Sequence, residues 1–229
     1  MHNSPRPPLR DDDYLADNGA KGGLMSTIYL MRHGAIIQQH PRRFIGQTDF
    51  PLTEEGRAQA RLWRDPLADL DLSAVVASDL SRCRETAAIV LNGRDIPVRL
   101  EPRLREINLG AWEGLTVDEV RERFPGDYER RGHDLTGCRP EGGEGFGDVQ
   151  ARAVAAIGEL AAIGGNVLVV AHGGVNRTIL CHALGLDLSR LFRLGQDYCR
   201  LNILHVTDTL WRVDAVNVAP VPSWRFPGP

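Results

Sequence analysis

The chain has 229 residues, of which 42% are hydrophobic and 25% are charged, as in an ordinary globular protein with one sizeable domain. Its net charge of −3 at pH 7 gives no reason to expect nucleic acid or an anionic membrane as a partner. No stretch approaches the roughly 18 apolar residues that a membrane-spanning helix needs. Any anion-binding site must therefore be a local arrangement of arginines.

The cysteines and the ends of the chain predict a cytoplasmic protein with one domain. The four cysteines show no CxxC pair and no spacing typical of metal ligands, which favours reduced thiols. Residues 1–24 are polar and lack the apolar core of a signal peptide, so we expect a flexible tail, with Met25 as a candidate natural start. A single domain is predicted over residues 25–217, followed by a proline-rich tail over residues 218–229.

The first predicted strand ends in a group of polar residues. Residues 27–31 form a short apolar run that reads as a buried strand, and Arg32, His33 and Gly34 follow it directly. Open α/β sheets bind their ligands at the carboxyl ends of strands, which is where Arg32 and His33 would lie. Residues 35–52 then form a long non-helical connection, a kind of segment that is often functional.

Helices and strands alternate along the rest of the chain. Thr53 is predicted to cap a helix, and Thr116 with Glu119 forms a capping box for another. Further helices are predicted at about 80–91, 146–163 and 175–184, and strands at 73–77, 97–100, 166–171, 201–206 and 210–216. Residues 115–147 are expected to form a lid-like excursion, since their second half is rich in Gly, Pro and Arg. The pattern predicts one α/β domain.

A second strand repeats the ending of the first. Residues 166–171 are followed by His172, Gly173 and Gly174, so two buried strands each end in His-Gly. This repetition predicts that two imidazoles meet at one edge of the sheet. Arg82 and Glu106 also follow predicted strands and are expected at the same edge.

The types of these side chains indicate an anion rather than a metal ion. Two imidazoles and a carboxylate could form a metal-binding triad, but Arg32, bonded in sequence to His33, would repel a dication. Two arginines instead favour a dianion, because each guanidinium can donate two hydrogen bonds to phosphate oxygens. Phosphate is therefore the better ligand for this set.

With phosphate bound, His33 is a plausible nucleophile. An imidazole has a pKa near 6.5, and nearby arginines would keep it deprotonated at neutral pH. Transfer of a phosphoryl group to His33 also needs a proton for the leaving alkoxide, and Glu106 is the carboxylate placed to supply it. Burial of Glu106 would raise its pKa towards the range that an acid needs. No metal and no other cofactor is required.

Five motifs, in order, resemble those of the histidine phosphatase superfamily, which has the phosphoglycerate mutase-like fold. The motifs are MRHG at 31–34, RFIGQTDFPLTEEG at 43–56, SDLSRCRETA at 78–87, LREINLGAWEG at 104–114 and AHGGVNR at 171–177. The resemblance implies a three-layer α/β/α fold with a mostly parallel central sheet. It also implies that His33 is the phosphorylated nucleophile, that Arg32, Arg82 and His172 hold the phosphoryl group, and that Glu106 is the proton donor.

The resemblance extends, with departures, to the substrate pocket. It implies that Arg43 and Gln39 bind substrate, although many members have Asn where this chain has Gln39. The backbone at Ile45, Gly46 and Gly173 would line the same pocket. The chain also has Ala35 where many members carry an acid, and Gly145 where a small hydroxyl residue is usual.

Some neighbouring residues compete for the same roles. Arg84 lies two positions from Arg82 on one predicted helix, and only the resemblance selects Arg82. Glu101 and Glu113 compete with Glu106, and we interpret both as surface carboxylates. The lid-like excursion carries several arginines, including Arg130 and Arg131.

These observations predict a metal-independent phosphatase that acts on a small phosphorylated metabolite. The sequence of residues 43–52 resembles that of the branch of the family that contains α-ribazole phosphatase and broad-specificity phosphatases. Three alternatives stay open: a phosphoglycerate mutase, a non-catalytic phospholigand-binding protein and a metal-dependent hydrolase. The sequence gives no signal for an oligomeric state.

Overall fold

The computed structural model describes residues 25–37 and 40–221. The predictions for residues 1–24, for Gln39 and for residues 222–229 lie outside this part of the chain. The described residues form a six-stranded sheet with helices packed on both faces, which confirms the predicted α/β/α fold.

The central sheet is mostly parallel. In chain order its strands are β1 (Ser26–Arg32), β2 (Leu72–Ala77), β3 (Val98–Leu100), β4 (Gly165–Ala171), β5 (Leu201–Val206) and β6 (Trp211–Val218). Their order across the sheet is β3-β2-β4-β1-β5-β6. The first four strands pair in parallel, whereas β5 pairs antiparallel with β1 and β6 antiparallel with β5. The two strands that carry the His-Gly sequences, β1 and β4, are therefore neighbours at the centre.

The described part of the chain contains seven α-helices. They are α1 (Glu54–Arg61), α2 (Arg64–Leu67), α3 (Ser81–Leu91), α4 (Val117–Arg123), α5 (Asp127–His133), α6 (Phe146–Ala161) and α7 (Gly173–Ala183). Short 3-10 helices cover Pro102–Leu104, Gly110–Trp112 and Leu188–Arg193.

Side chains of strand β1 point alternately into two apolar cores, one on each face of the sheet. Ile28 and Leu30 of β1 pack with residues of α6 and α7 on one face of the sheet. Tyr29 and Met31 pack with residues of α1, α2 and α3 on the other face. A strand buried on both faces reads as a continuous apolar run, which is why β1 could be located from the sequence.

The predicted helix caps are present. The Thr53 hydroxyl accepts a hydrogen bond from the backbone N–H of Gly56 at 3.1 Å, which fixes the start of α1. At α4 the Thr116 hydroxyl accepts from the Glu119 N–H at 3.1 Å, and the Glu119 carboxylate accepts from the Thr116 N–H at 2.7 Å. A reciprocal pair of this kind satisfies two amides that a helix start leaves without partners.

Some predicted helix ends differ from the structure, and one helix was not predicted. Helix α6 ends at Ala161, two residues before the predicted Ile163. Helix α5 was not predicted at all, because the Gly- and Arg-rich composition of residues 125–147 hides it. Tyr128 anchors this helix by packing against Trp112, with ring centroids 6.4 Å apart, and so tertiary contacts outweigh the weak local signal.

A close backbone contact places His33. A Cβ atom on Gly34 would lie 2.5 Å from the backbone oxygen of Gly56, and one on Gly56 would lie 2.2 Å from that of Ala35. Real Cβ atoms do not approach backbone oxygens this closely, so glycine is needed at both positions. The segment after β1 thereby lies directly on the start of α1.

Among the described residues, no helix has the length and the apolar character that crossing a membrane would require.

Candidate active site

The sheet brings His33 and His172 together. Strands β1 and β4 pair in register with Arg32 opposite Ala171, so the next residue of each strand lies at the same edge. The ring centroids of the two histidines are 5.1 Å apart, and the backbone N–H of His33 donates to the backbone oxygen of Ala171 at 3.0 Å. Both side chains are nearly inaccessible, with exposures of 4% for His33 and 0% for His172.

One nitrogen of His33 is left free for chemistry. Its Nδ1 lies 2.8 Å from the backbone oxygen of Gly34, and a carbonyl can only accept, so Nδ1 carries the proton. Nε2 is then unprotonated and keeps its lone pair. Burial, followed by the charges of Arg32 and Arg82, holds the pKa of His33 well below 6.5. His33 is therefore a neutral imidazole with Nε2 available as a nucleophile.

His172 is fixed by two hydrogen bonds. Its Nδ1 accepts from Nε of Arg82 at 3.2 Å, so its other nitrogen, Nε2, carries the proton and donates to the Ser78 hydroxyl at 2.9 Å. Burial and then the charge of Arg82 hold the pKa of His172 well below 6.5. The ring is thus neutral and held in one orientation beside His33.

Arg82 is buried beside His172, and some of its N–H groups have no hydrogen-bond partner among the described residues. It is 1% exposed, and besides the bond to His172 it donates from Nη1 to the Thr48 oxygen at 2.9 Å and from Nη2 to the Gly46 oxygen at 2.7 Å. A guanidinium has five N–H groups, of which these contacts use three. Two remain for a phosphoryl oxygen.

Glu113 holds the loop on which Arg82 rests. Its carboxylate accepts from the backbone N–H groups of Gly46 at 3.2 Å and Gln47 at 2.8 Å, and from the Thr48 hydroxyl at 2.7 Å. A Cβ on Gly46 would lie 2.3 Å from a Glu113 oxygen. Glu113, which we interpreted as a surface carboxylate, is half-buried, and it organises residues 46–48.

Arg32 lies beside the histidines, and its Nε–H is not used by the described residues. Its Nη1 donates to the Gln196 oxygen at 2.5 Å, and its guanidinium carbon lies 3.8 Å from the centre of the Tyr198 ring. Its Nε is buried and has no hydrogen-bond partner within the described residues. A Cβ on Gly173 would be 3.2 Å from this Nε, so the free donor faces the open side of Gly173.

Glu106 reaches the same edge from the loop after β3. Its carboxylate accepts from the backbone N–H of Ile107 and from that of Gly174, each at 3.0 Å. A Cβ on Gly174 would lie 2.4 Å from a Glu106 oxygen, so the glycine makes this contact possible. The Glu106 side chain is half-buried.

The other predicted residues have varied positions. Ile45 and Gly46 belong to the loop behind Arg82, whereas the Arg43 guanidinium donates to the Gly114 oxygen at 2.7 Å and to Glu119 at 2.9 Å. The charge of Arg43 is thus already paired with that of Glu119 on α4. Arg84, the competitor of Arg82, is exposed.

Glu101 and the paired arginines of the lid-like excursion are engaged elsewhere. Glu101 is buried, contrary to our interpretation of it as a surface carboxylate, and is held by Arg103 at 2.8 Å. Arg130 is exposed and pairs with Asp127 at 2.7 Å. Arg131 is buried, 5.2 Å from the centre of the Phe146 ring.

Sequence reasoning missed several residues of the site. Ser78 and Arg177 lie within the quoted motifs, so their motif membership was a signal that we did not use. Tyr198 and Gln196 lie in the irregular segment before β5 and gave no signal, because only the folded chain brings this segment to Arg32. Within residues 25–37 and 40–221, no three His, Cys, Asp or Glu side chains are grouped to hold a metal ion.

The neutral histidines predict a pH dependence of stability. An unfolded histidine has a pKa near 6.5, whereas the pKa of His33 and of His172 is lower in the fold. As the pH falls below 6.5, the unfolded chain therefore binds protons that the folded chain does not, and stability is lost by up to about 1.4 kcal/mol per pH unit for each histidine. Urea denaturation at pH 7.5 and 5.5 measures this loss.

Replacing one of the two histidines measures its contribution to this loss of stability at low pH. His33→Gln should lose less stability between pH 7.5 and 5.5 than the wild type, whereas replacement of the exposed His133 by Gln should leave the difference unchanged. An equal pH dependence in wild type and His33→Gln would contradict a neutral His33.

Comparison with known proteins gives a consistent set of matches. The model of the histidine phosphatase superfamily (branch 1) matches residues 28–219. Phosphoserine phosphatase 1 of Hydrogenobacter thermophilus is 30% identical over 186 residues, which cover 80% of this chain and 88% of that protein. A probable phosphoglycerate mutase of Yersinia pestis is 31% identical over 190 residues, covering 82% and 88% respectively.

Solved structures are similar over most of this chain. A mycobacterial glucosyl-3-phosphoglycerate phosphatase, crystallised with VO3, is 32% identical, with a TM-score of 0.72 and coverage of 84% of this chain and 99% of that one. The α-ribazole phosphatase of Shigella flexneri is 25% identical, with a TM-score of 0.77 and coverage of 84% and 96%. The similarity thus includes phosphatases that are named for different substrates.

Proposed function

This chain belongs to the histidine phosphatase superfamily, and on that premise we propose that it hydrolyses a small phosphomonoester through a phosphohistidine on His33. The observation that carries the proposal is the state of His33: a buried, neutral ring with Nδ1 bonded to Gly34 and Nε2 free. Such a nitrogen can form a bond to phosphorus without first losing a proton.

The first step transfers the phosphoryl group. The Nε2 lone pair of His33 forms a bond to phosphorus while the ester P–O bond breaks, and the leaving oxygen takes the electron pair. Arg32 and Arg82 supply free N–H groups to the equatorial oxygens, where negative charge accumulates in the transition state. The ring of His172, which Arg82 and Ser78 hold in one orientation, lies beside the reacting ring of His33.

Glu106 moves the protons. In its protonated form it gives a proton to the leaving alkoxide, and the carboxylate that remains then takes a proton from the water that attacks phosphorus. The backbone N–H groups of Ile107 and Gly174 hold its oxygens in place for both steps. As the water oxygen bonds to phosphorus, the P–N bond breaks and its electron pair returns to Nε2, so release of inorganic phosphate restores neutral His33.

A phosphatase fits the excursion better than a mutase. A mutase would need cations for the substrate carboxylate and a lid that keeps water out. Of the two adjacent arginines, Arg130 is engaged by Asp127, and Arg131 packs against aromatic rings. Phosphatase activity is therefore the main proposal, and mutase activity is the outcome to be tested against it.

A panel of phosphomonoesters tests the proposal. We expect phosphate release from p-nitrophenyl phosphate and from one or more of phosphoserine, 3-phosphoglycerate, α-ribazole phosphate and sugar phosphates, unchanged by excess chelator. Conversion of 3-phosphoglycerate to 2-phosphoglycerate without phosphate release would contradict hydrolysis. Loss of activity with chelator would contradict metal independence.

We also propose a cytoplasmic location. The support is that all four cysteines, at positions 83, 138, 181 and 199, have free thiols in the structure, as expected in a reducing compartment. Cell fractionation with thiol alkylation measures this directly, and a secreted form with oxidised cysteines would contradict it.

A further inference from the structure

Arg177 brings a third guanidinium group to the site, beside those of Arg32 and Arg82. It lies on α7 one turn after Gly173, and side chains on a helix point back towards the N-terminus, which here adjoins His172. A Cβ on Gly173 would lie 3.2 Å from Nη1 of Arg177 and equally 3.2 Å from Nε of Arg32. Two guanidinium groups thus meet over one glycine beside the phosphoryl pocket.

Among the described residues, Arg177 has no ion-pair partner. Its Nε donates to the Leu194 oxygen at 2.8 Å, and within residues 25–37 and 40–221 no carboxylate oxygen lies within 4 Å of Arg177 or Arg32. Burial and then the charge of Arg32 lower the pKa of Arg177, but a guanidinium stays protonated. Two adjacent cations of this kind are stabilised by an anion that lies between or beside them.

Arg177 lies on the same side of the site as Glu106, from which the proposed leaving group would take its proton. The carboxylate of Glu106, the proposed proton donor, accepts a hydrogen bond from the N–H of Gly174 on the same helix turn. Its negative charge stabilises the Arg177 cation. The rings of Phe146 and Phe192, with centroids 5.8 Å apart, flank this region, and Phe192 is 62% exposed. Carbon atoms of a leaving group could contact these rings while its polar group contacts Arg177.

The local charges favour a monoanion. Arg177 offers one positive charge, and its Nη atoms can donate two parallel hydrogen bonds, which match a planar carboxylate. Glu106 and Asp197 are both close enough to act on the Arg177 charge, and their negative charges oppose a second dianion. A carboxylate is therefore a better partner here than another phosphate.

We propose that Arg177 binds a carboxylate on the leaving group, so that the preferred substrates are phosphomonoesters of small hydroxy acids. The inference rests on the proposed function, since it concerns the substrate class of the same site. It assigns Arg177 to the recognition of the organic part of the substrate and leaves the phosphoryl group to Arg32 and Arg82.

Matched substrate pairs test this assignment. 3-Phosphoglycerate and glycerol 3-phosphate differ in one carboxylate, and so do phosphoserine and phosphoethanolamine. For at least one pair, the wild type should show a higher kcat/KM for the acid. In Arg177→Gln this preference, measured as the ratio of kcat/KM within each pair, should fall by about 10- to 100-fold, the value of a charge-assisted hydrogen bond. Arg177→Lys keeps the positive charge but cannot donate two parallel hydrogen bonds, so its preference for the acid should lie between those of the wild type and Arg177→Gln.

Controls separate this inference from the proposed function. Arg190→Gln removes an exposed positive charge from the neighbouring 3-10 helix and should leave the preference unchanged. Equal losses on both members of each pair in Arg177→Gln would overturn the inference, and so would a wild type without preference. Failure of the wild type to hydrolyse p-nitrophenyl phosphate would instead overturn the proposed function.

Discussion

Replacing His33 by glutamine should lower kcat for every phosphomonoester by about 10⁴-fold or more, a loss typical of enzymes that lose their nucleophile. The reason is that Nε2 of His33 is the atom to which phosphorus must bond, and no other free imidazole nitrogen is described beside it. The nearest ring, His172, has both nitrogens bonded, to Arg82 and to Ser78. Initial rates with p-nitrophenyl phosphate measure the loss.

The variant must be shown to bind phosphate for this loss to be informative. Arg32 and Arg82 are unchanged in His33→Gln, so inorganic phosphate should still raise its melting temperature. His133→Gln, at an exposed position of α5, is the matched control and should keep wild-type rates. A His33→Gln enzyme that binds phosphate and retains a tenth of wild-type activity would exclude His33 as the nucleophile.

Replacing Glu106 by glutamine should divide substrates by their leaving group. An alkoxide needs a proton as it leaves, so kcat/KM for an alkyl phosphate should fall by about 10²- to 10⁴-fold, the usual contribution of general acid catalysis. A nitrophenolate is stable without a proton, so kcat/KM for p-nitrophenyl phosphate should fall far less. The comparison uses kcat/KM because this quantity reports the steps up to phosphorylation of the enzyme.

The matched control for Glu106 is another acid of the same loop region. Glu101 is held by Arg103 outside the site, so Glu101→Gln should not change the ratio of kcat/KM between alkyl and aryl esters. Equal losses of Glu106→Gln on both ester types would show that Glu106 does not donate the proton.

The parts of the fold that could be predicted are those with strong local signals. Strands β1 and β4 are buried on both faces and read as apolar runs, and Thr53 and Thr116 mark helix starts through their caps. Helix α5 escaped prediction because residues outside the segment support it, as in the contacts of Tyr128 with Trp112 and of Arg131 with Phe146. Local composition cannot report such a contact.

The candidate site was predictable only where a residue acts through its own position in a strand or motif. His33 and His172 follow strands that pair with each other, so their proximity follows from topology. Glu113 acts on the backbone of residues 46–48, and Tyr198 acts on Arg32 from a distant segment. Roles of this kind depend on how the loops are folded, and single-sequence patterns do not contain that information.

The arginines show the same distinction. Arg82 and Arg84 are equivalent in sequence, but the fold buries Arg82 against His172 and exposes Arg84. Arg131 was a candidate lid residue, yet it is buried among aromatic rings, whereas Arg177 was not singled out and lies beside Arg32. Burial and the direction of a side chain decide these cases.

The central claim is that phosphorus becomes bonded to His33, and trapping that bond tests it most directly. The enzyme is mixed with excess p-nitrophenyl phosphate, quenched within milliseconds in alkali, in which phosphohistidine survives, and mapped by mass spectrometry. The account predicts one phosphate on the peptide that contains His33, lost on mild acid treatment and absent from His33→Gln. Phosphate on another residue, or turnover with no phosphoenzyme at any quench time, would contradict it.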